Sequence, residues 1–378
     1  MARFGFIDTD SHVVEPDDLW DNYLETKYRD DAPVTRVGFE DGETGFGFYN
    51  NVTVNGCNQP FGSFGVHTVM PNLGEVYDEY ARAGFPASSY IDAMDKTGID
   101  CMVLYPTACL YTNEVPGTRA DVAAAYRRAY NQWLSDFCSQ GEGRLIGAGA
   151  LDLRDPELAA QEAIRSVRDL GFKAVTINPS RVGPYPLYAP EMDRLWATIA
   201  DLDVPVGVHC GALNAADTWL YDMYPGLMYA QGISAFIFGN MAAIASFIIG
   251  GVLERHPTLR IAHLESGSGW LVPWLHRMQV GNQAGREDML IPGLSMQPMD
   301  YFRRQCFIST EPGDPAIKDV IAGLGDECVV VATDFSHPEG RQYARAREDI
   351  AGLAGVSEAS KKKIAWDNAL RLYPLDLA

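Results

Sequence analysis

The chain has 378 residues, 47% of them hydrophobic, and a formal net charge of −20. This length and apolar content are enough for one large α/β domain or two smaller ones. The acidic balance and the lack of any Lys/Arg-rich run argue against nucleic acid as a partner, because phosphate binding depends on basic surfaces.

The first predicted element is a strand in GFIDTDSHV, and it carries the first candidate metal ligands. Asp10 and His12 share a face because alternate residues of a strand point the same way, whereas Ser11 turns away. Two ligands could thus converge on one ion, although a turning strand end and a buried core histidine would give the same short pattern. Asp8 shares the face of Asp10 at a deeper position, so we expect it to support the ligands.

A long interval follows the first strand. Roughly ninety residues separate it from the second, far more than a usual connection in a barrel. The interval includes the Gly-, Asn- and aromatic-rich YNNVTVNGCNQPFGSFGVHTV. We expect residues 20–90 to form an insertion or lid within a single domain over residues 1–378, or to make a subunit contact. The aromatic residues predicted to line a substrate pocket are Trp20, Phe61, Phe64 and, later in the chain, Trp219.

Seven further apolar or β-branched runs predict strands: DCMVLYP, LIGAGALDL, AVTINP, PVGVHCG, RIAHLES, CFISTEP and VVVATDF. Helical patterns lie between most of them, including DPELAAQEAIRSVRDLG with an Asp cap and a closing Gly. This alternation predicts parallel βαβ units, and eight strands favour a closed (β/α)₈ barrel with a long insertion after strand 1. An open doubly wound sheet is the alternative, but no G-x-G-x-x-G follows the first strand.

The most apolar segment, ISAFIFGNMAAIASFIIGGVL, is interrupted by Gly239, Asn240 and Ser246, so it predicts a buried helix rather than a membrane span. The N-terminus lacks the parts of a signal peptide, and seven scattered cysteines without a C-x-x-C pair are typical of a reducing compartment. We therefore expect a cytoplasmic protein without a membrane partner. We also expect a homo-oligomer, a dimer or a tetramer.

Polar residues gather where the predicted strands end, which is where a (β/α)₈ barrel carries its chemistry. Asp10 and His12 end strand one, His209 ends strand five, His263 strand six and Asp334 strand eight. A His/Asp cluster with an open position is what a catalytic divalent ion requires. We predict Asp10, His12, His209 and Asp334 as metal ligands. His263 lies between two apolar residues and fits a general acid/base better than a fifth ligand.

Three other residues are candidates with less certain roles. Glu265 lies two residues after His263 and should face the same way, so it could orient that histidine, approach the ion or be structural. Arg181 could hold a substrate carboxylate or fix a loop through an ion pair. His337, in TDFSHPEG, is a candidate for substrate contact.

These motifs resemble the amidohydrolase superfamily, specifically the branch that includes aminocarboxymuconate-semialdehyde decarboxylase and the γ-resorcylate-type decarboxylases. The similarity runs over nearly the whole chain, through IDTDSHVVEPDDLW, AMDKTGIDCMVLYPT, INPSRVGPYPLY, PVGVHCG, GVLERHPTLRIAHLESGSGWLVPWLHRM, YFRRQCF, ATDFSHPEG and DNALRLYPL. The resemblance implies that the first-strand metal motif falls on Asp10 and His12, and the strand-five metal histidine on His209. It also implies a catalytic histidine at His263 and the strand-eight aspartate at Asp334.

Two departures from the superfamily pattern bear on the metal. Other members bridge two ions with a carbamylated lysine at the end of strand four, where this chain has Asn178, while Lys173 lies too early. This difference favours one ion per chain. A first-strand Asp in place of His makes the site harder and more anionic, so zinc, manganese and iron all stay open.

Three classes of function compete. We expect a metal-dependent hydrolase that uses a metal-activated water on an ester, thioester, amide or lactone of a small organic acid, with His263 and Asp334 moving protons. The alternative is a non-oxidative decarboxylase of an aromatic or unsaturated carboxylic acid, which needs cationic groups for its substrate. Only Arg181 is an evident cation on the active face, which favours hydrolysis. A metal-stabilised scaffold without activity is the third class.

Overall fold

The computed structural model describes residues 4–42, 45–54, 57–58, 68–69, 75–112, 117–179, 183–209, 223–224, 227–283, 293–337 and 343–377. The strands in these ranges are, in chain order, β1 (Ile7–His12), β2 (Val34–Gly42), β3 (Gly45–Val54), β4 (Cys57–Asn58), β5 (Thr68–Val69), β6 (Cys101–Tyr105), β7 (Leu145–Ala150), β8 (Ala174–Ile177), β9 (Val206–Val208), β10 (Ile261–His263), β11 (Cys306–Thr310) and β12 (Val329–Val331).

The eight predicted barrel strands are β1 and β6 to β12, and they form one parallel sheet in chain order. The last strand returns to the first. The amide of His12 donates to the carbonyl of Phe335 at 2.8 Å, and the amide of Asp334 donates to the carbonyl of Asp10 at 2.9 Å. These bonds bring the two ends of the sheet together, so the predicted barrel is confirmed and the open doubly wound alternative is excluded.

Helices alternate with the barrel strands, as the sequence predicts. After β6 the described helices are Ala108–Thr112, Ala120–Cys138, Pro156–Arg168, Asp193–Asp201, Met228–Ile248, Val252–Arg255, Leu271–Gln283, Pro298–Gln305, Ile317–Leu324, Ala346–Gly352, Glu358–Lys362 and Asn368–Leu372. The predicted Asp cap is Asp155, whose carboxylate accepts from the amides of Glu157 at 2.9 Å and Leu158 at 3.2 Å. Such caps satisfy helix-terminal amides that otherwise have no partner.

The core has two shells. Apolar residues between strands and helices form the larger one, and a smaller cluster fills the barrel interior, including Val103, Tyr105, Ala262 and Phe307. Gly207 illustrates how closely this interior is packed, because a Cβ at this position would lie 2.7 Å from the Tyr105 ring. The inward side chains are apolar at mid-barrel and become polar at the strand ends, and this change places the site.

The interval between β1 and β6 has structure of its own. It contains helices Leu19–Tyr23, Glu75–Arg82 and Ala87–Thr97, and a small antiparallel sheet in which β3 pairs with β2, β4 and β5. This sheet is separate from the barrel sheet. The role of residues 20–90 as a lid within one domain stays a prediction.

Helix Met228–Ile248 contains the apolar segment that we interpreted as buried. Among the described residues, its stretch Ala230–Ile248 alone is long and apolar enough to cross a membrane by length and composition, and 39% of the best window is buried inside the fold. Phe247 and Ile248 are buried near its end, whereas Ile233 and Phe238 are exposed. A core helix of a soluble protein passes the same test, and this helix has both buried and exposed residues along its length.

Candidate metal centre

Strand β1 contributes the first two candidate ligands, Asp10 and His12. Its pairing with β6 slips by one residue between Asp8 and Ser11, as it does at a β-bulge or a similar irregularity of the strand. Bulges re-aim side chains and are frequent next to active sites. Asp10 Oδ1 lies 3.7 Å from His12 Nε2, and both side chains are buried. The predicted convergence of these two residues is therefore present.

The orientation of His12 is fixed by its other ring nitrogen. His12 Nδ1 lies 2.8 Å from the carbonyl oxygen of Pro106, so Nδ1 carries the proton and donates it. The lone pair of Nε2 then faces the interior of the site. The backbone carbonyl of His12 accepts from the hydroxyls of Tyr90 at 2.6 Å and Ser336 at 3.0 Å. An outer partner on Nδ1 is the usual arrangement of a metal-ligating histidine.

His209 follows β9 and brings a second imidazole to the same point. Its Nε2 lies 3.1 Å from His12 Nε2 and 3.6 Å from Asp10 Oδ1. Because the His12 nitrogen has its lone pair here, a cation between the two rings would satisfy both nitrogens. His209 is completely buried.

Two carboxylates on unusual backbone complete the cluster. Asp334 Oδ1 lies 3.2 Å from His12 Nε2, and Glu265 Oε2 lies 3.1 Å from His209 Nε2. Asp334 has φ 60°, Glu265 has φ 43° and nearby Ser336 has φ 82°. Residues other than glycine rarely adopt the left-handed region, and such strain concentrates at functional sites. The backbone after β10 and β12 therefore turns sharply to aim these carboxylates.

The spacing of the donors fits a single ion. The contacts among the donor atoms of this cluster run from 3.1 to 3.7 Å, and they join His12, His209, Asp10, Glu265 and Asp334. Ligands at about 2.1 Å from one ion would lie roughly 3.0–3.4 Å apart for angles between 90° and tetrahedral. Asp10 Oδ1 is buried and has no hydrogen-bond partner in the part of the chain that the structure describes. The described residues thus form a candidate site for a divalent metal.

The electrostatics of the cluster also favour a cation. Burial raises the pKa of Asp10 to about 8 and the pKa of Asp8 to about 6. Burial likewise lowers the pKa of His12 well below its usual value. A divalent cation would offset the cost of keeping these carboxylates ionised, and a neutral imidazole is the form that binds metal.

His337 lies beside this cluster, closer than the sequence indicates. Its Nδ1 is 3.0 Å from Asp334 Oδ1 and its Nε2 is 2.8 Å from the hydroxyl of Thr107. Its ring stacks on His12 with centroids 3.8 Å apart and planes 17° from parallel. Nitrogen lone pairs lie in the ring plane, so two stacked imidazoles cannot both point at one ion. His337 is therefore a neighbour of the ion site rather than a further ligand to the same ion as His12.

Among the described residues, His263 is not one of those whose potential ligand atoms lie close together. Its neighbour Ala262 belongs to the barrel interior, whereas His263 Nδ1 lies 3.0 Å from Asn240 Oδ1 and its ring stacks on Phe302 at 5.9 Å, both on outer helices. Burial lowers its pKa to about 3. Glu265 does not share its direction, because the positive φ of Glu265 breaks the alternation. The catalytic role of His263 stays a prediction.

Asp8 lies behind the cluster, as its depth in the strand suggests. Its carboxylate accepts from the amide of Thr333 at 2.9 Å, from the hydroxyl of Thr333, and from the hydroxyl of Ser11 at 2.9 Å. Thr333 immediately precedes Asp334. Asp8 therefore connects β1 to the turn that carries Asp334.

Trp20 is a packing residue in the structure. It is 4% exposed, donates from Nε1 to the Thr35 hydroxyl at 2.8 Å and packs edge-on against Tyr126 at 5.5 Å. These contacts are packing contacts, and a place for Trp20 in the substrate pocket stays a prediction. The other predicted pocket residues lie outside the described residues: Arg181, Phe61, Phe64 and Trp219.

Asn178 directly follows β8 and is buried, where the superfamily pattern implies a bridging lysine. Lys173 precedes the strand and is half-buried at its other end. A buried asparagine at the end of β8 agrees with the reason given for one ion per chain. The number of ions itself stays a prediction.

Sequence reasoning missed the residues that support His337. Glu15 is buried, and its carboxylate accepts from the amides of Thr107, Ala108 and Cys109, each at 3.0 Å. In the sequence, only the position of Glu15, three residues after His12, indicates that it lies near the site. Nothing in the sequence marks Thr107, because a strand-following threonine is common.

An eight-stranded parallel barrel with a buried His/carboxylate cluster at its strand ends defines a metal-dependent (β/α)₈-barrel enzyme. A family model described as amidohydrolase matches residues 7–375. The chain therefore belongs to the amidohydrolase family, and the resemblance seen in the sequence is confirmed.

Two curated relatives carry names from the same branch. The γ-resorcylate decarboxylase of Rhodococcus jostii (strain RHA1) is 30% identical over 298 residues, which cover 75% of this chain and 86% of that protein. The 2-amino-3-carboxymuconate-6-semialdehyde decarboxylase of Dictyostelium discoideum is 25% identical over 246 residues, 65% of this chain and 66% of that protein.

Solved structures share the fold along the whole chain. An amidohydrolase from Mycobacterium avium subsp. paratuberculosis K-10 has a TM-score of 0.75 at 22% identity and covers 100% of this chain and 99% of its own. A dihydroxybenzoic acid decarboxylase from Polaromonas sp. JS666, with bound manganese and the inhibitor 2-nitroresorcinol, has a TM-score of 0.69 at 21% identity, with 100% and 98% covered. At these identities the likeness establishes the fold.

The comparison corrects our preference for hydrolysis. The curated relatives are named as decarboxylases rather than hydrolases. The shortage of cationic residues on the active face is therefore not a valid argument against decarboxylation. The expectation of a hydrolase acting on an ester, thioester, amide or lactone is wrong.

Proposed function

We propose that this protein is a metal-dependent, non-oxidative decarboxylase of an aromatic or unsaturated carboxylic acid. The observation that supports the metal dependence is the cluster of two imidazole nitrogens and three carboxylate oxygens with separations of 3.1 to 3.7 Å at the strand ends. The decarboxylase names of the relatives support this reaction class.

One divalent ion would be held by Asp10, His12, His209 and Asp334, with Glu265 as a further carboxylate donor. Three carboxylates among the donors favour manganese over softer metals, and a related structure contains manganese. When bound, the ion supplies a positive charge that holds the substrate carboxylate and an adjacent oxygen. The number of ions per chain rests on Asn178 in place of a bridging lysine.

The protein must deliver one proton in this reaction. The bond between the substrate carbon and its carboxylate breaks, the electron pair stays on that carbon, a proton adds there, and CO₂ leaves. Asp334 lies at the ion site, with Oδ1 3.0 Å from His337 Nδ1. It would take up a proton from solvent before the step and then pass that proton to the substrate carbon. His12 cannot fulfil this role, since its Nδ1 proton is directed to Pro106 and its Nε2 faces the other ligands.

The substrate end of the pocket rests on residues outside the described ranges. Arg181 as a carboxylate-binding cation and Phe61, Phe64 and Trp219 as an apolar lining remain part of the proposal. A planar, anionic substrate would need both kinds of contact.

We further propose a cytoplasmic homo-oligomer, a dimer or a tetramer, acting on a small molecule. In support, helix Met228–Ile248 has no charged residue, and its Ile233 and Phe238 are 48% and 38% exposed. Light scattering tests the state: an assembly of two or four chains supports the proposal, and a monomer across micromolar concentrations contradicts it.

The activity test is CO₂ release from a panel of acids, each with Mn²⁺. We would assay 2,6-dihydroxybenzoate and 5-carboxyvanillate beside a panel of esters, thioesters, amides and lactones, with His209→Ala as the inactive control. We expect the parent to release CO₂ from at least one acid that the His209→Ala control does not decarboxylate. Hydrolysis without any decarboxylation would contradict it.

A further inference from the structure

Asn240 lies in the middle of helix Met228–Ile248, which has no charged residue, and it is completely buried. A buried amide costs free energy unless its polar atoms have partners. Its Nδ2 lies 3.0 Å from the carbonyl oxygen of Leu264 and 3.3 Å from that of Phe236. Carbonyl oxygens only accept, so Nδ2 donates to both, and Oδ1 lies 3.0 Å from His263 Nδ1. Asn240 therefore connects this helix to the residues at the end of β10.

The peptide unit between Leu264 and Glu265 is held at both of its polar groups. Its carbonyl accepts from Asn240 Nδ2 at 3.0 Å, and its amide donates to the hydroxyl oxygen of Ser309 at 3.1 Å. Asn240 belongs to an outer helix and Ser309 to β11, and both are buried. The peptide unit cannot rotate about the line between its two Cα atoms without losing both bonds, and buried backbone groups rarely stay unpaired.

The orientation of this peptide unit sets the φ angle of Glu265, which is 43°. A residue with a side chain rarely adopts this left-handed conformation, and it persists only where the surroundings enforce it. A half turn of the peptide unit would return φ of Glu265 to the negative range and change the direction of its Cα–Cβ bond. The carboxylate would then leave its position 3.1 Å from His209 Nε2.

We propose that Asn240 is a positioning residue that, together with Ser309, holds the peptide unit before Glu265 and so directs the Glu265 carboxylate to the ion site. Asn240 acts through Glu265 and not by contact with the ion or the substrate. The effect on metal binding rests on the proposed function, in which Glu265 is a donor to the ion. The conformation of Glu265 does not rest on it.

The first readout is the conformation of Glu265 in crystal structures of the metal-free parent and two variants. Asn240→Leu removes the amide at similar volume, and Ser309→Ala removes the partner on the opposite edge while Asn240 keeps its bonds. We expect a positive φ at Glu265 in the parent, and in each variant a negative φ with the carboxylate displaced from His209. A Glu265 that keeps its parent position in Asn240→Leu overturns the proposal. If Asn240→Leu does not fold, Ser309→Ala decides in the same way.

The second readout is Mn²⁺ affinity, measured by isothermal titration in a double-mutant cycle with Glu265→Gln. Asn240→Leu alone should weaken Mn²⁺ binding by about 10–100-fold, the range expected when an outer partner of a ligand is lost. In the Glu265→Gln background it should cause little further loss, because it acts only through that carboxylate. Additive losses would show a general disturbance of the site and overturn the proposal. If Glu265→Gln alone leaves the affinity unchanged, the link to the ion is overturned, and the crystal structures still decide the conformation.

Ser246→Ala is the matched control, because Ser246 lies in the same helix and its hydroxyl donates to the carbonyl of Ala242 at 2.9 Å, within that helix. It should keep the Mn²⁺ affinity and the Glu265 conformation of the parent. An equal loss of affinity in Ser246→Ala would mean that any disturbance of the helix is sufficient, and the assignment to Asn240 would be overturned. If the parent decarboxylates no acid, the proposed function fails, while the φ angle and the Mn²⁺ affinity still decide this inference.

Discussion

His12 ends β1 and His263 ends β10, but the two side chains point in different directions, which their positions in the sequence do not indicate. Both are completely buried, and both place Nδ1 next to an oxygen, the Pro106 carbonyl at 2.8 Å and Asn240 Oδ1 at 3.0 Å. His12 Nε2 has four potential ligand atoms within 3.1 to 3.7 Å, whereas His263 Nε2 has no hydrogen-bond partner among the described residues.

The difference lies in direction rather than in burial or depth. His12 follows the irregularity in β1 and faces the barrel interior, whereas His263 continues the alternation of β10 and contacts the outer helices. A histidine at the end of a barrel strand is therefore a ligand only if its local backbone turns it inward. The predictions below test this contrast.

The largest effect should come from removing an inward imidazole. His209→Ala deletes a donor that lies 3.1 Å from both His12 Nε2 and Glu265 Oε2. We expect loss of bound metal together with at least a 1,000-fold loss of activity, on the order expected when a metal-assisted step is abolished. Elemental analysis and CO₂ release measure both. A variant that keeps stoichiometric metal would remove His209 from the ligand set.

Replacing the outward imidazole should separate metal from turnover. His263→Asn should keep the metal, because no donor of the cluster is removed. If His263 also has its predicted acid/base role, kcat falls by about 100-fold or more. Metal content decides the contrast: a folded His263→Asn protein without metal would show that His263 is a ligand and that the two histidines are alike.

A smaller effect is expected at Glu265, the carboxylate that the positive φ redirects. Glu265→Gln keeps the shape and removes the charge, so metal affinity should fall by about 10–100-fold while the fold is retained. Isothermal titration with Mn²⁺ measures the change. Unchanged affinity would mean that Glu265 is near the ion without binding it. Glu265→Asp is a useful companion, because it keeps the charge on a shorter side chain.

The smallest effect should come from the barrel interior below the site. Gly207→Ala places a Cβ 2.7 Å from the Tyr105 ring, and overpacking of this kind costs about 1–3 kcal/mol of unfolding free energy. Denaturant unfolding measures the loss, and metal content should stay near that of the parent. A variant as stable as the parent would show that the interior is less tightly packed than described.

Sequence alone predicted the barrel, because eight short apolar runs separated by helical patterns leave few other topologies. It also predicted that Asp10, His12, His209 and Asp334 approach one another, since strand parity and strand order determine that proximity. It did not predict the opposite directions of His263 and Glu265. Those depend on a single backbone torsion, φ 43° at Glu265, which no residue pattern reveals.

The sequence also did not predict the long-range contacts that hold His337 and its neighbours in place. The bond from Thr107 to His337 joins residues 230 positions apart, and Glu15 reaches amides more than 90 residues away. Such contacts follow from the closure of the barrel and not from local patterns. The ligand residues also could not indicate the reaction, because the same ligands serve hydrolysis and decarboxylation.

The central claim is that one divalent ion in the inward cluster makes this barrel a decarboxylase. The most direct measurement is metal content by elemental analysis, combined with CO₂ release by the same sample before chelation, after chelation and after Mn²⁺ is restored. The account predicts about one ion per chain, loss of CO₂ release on chelation, and recovery with Mn²⁺. Full CO₂ release from protein without stoichiometric metal would contradict it.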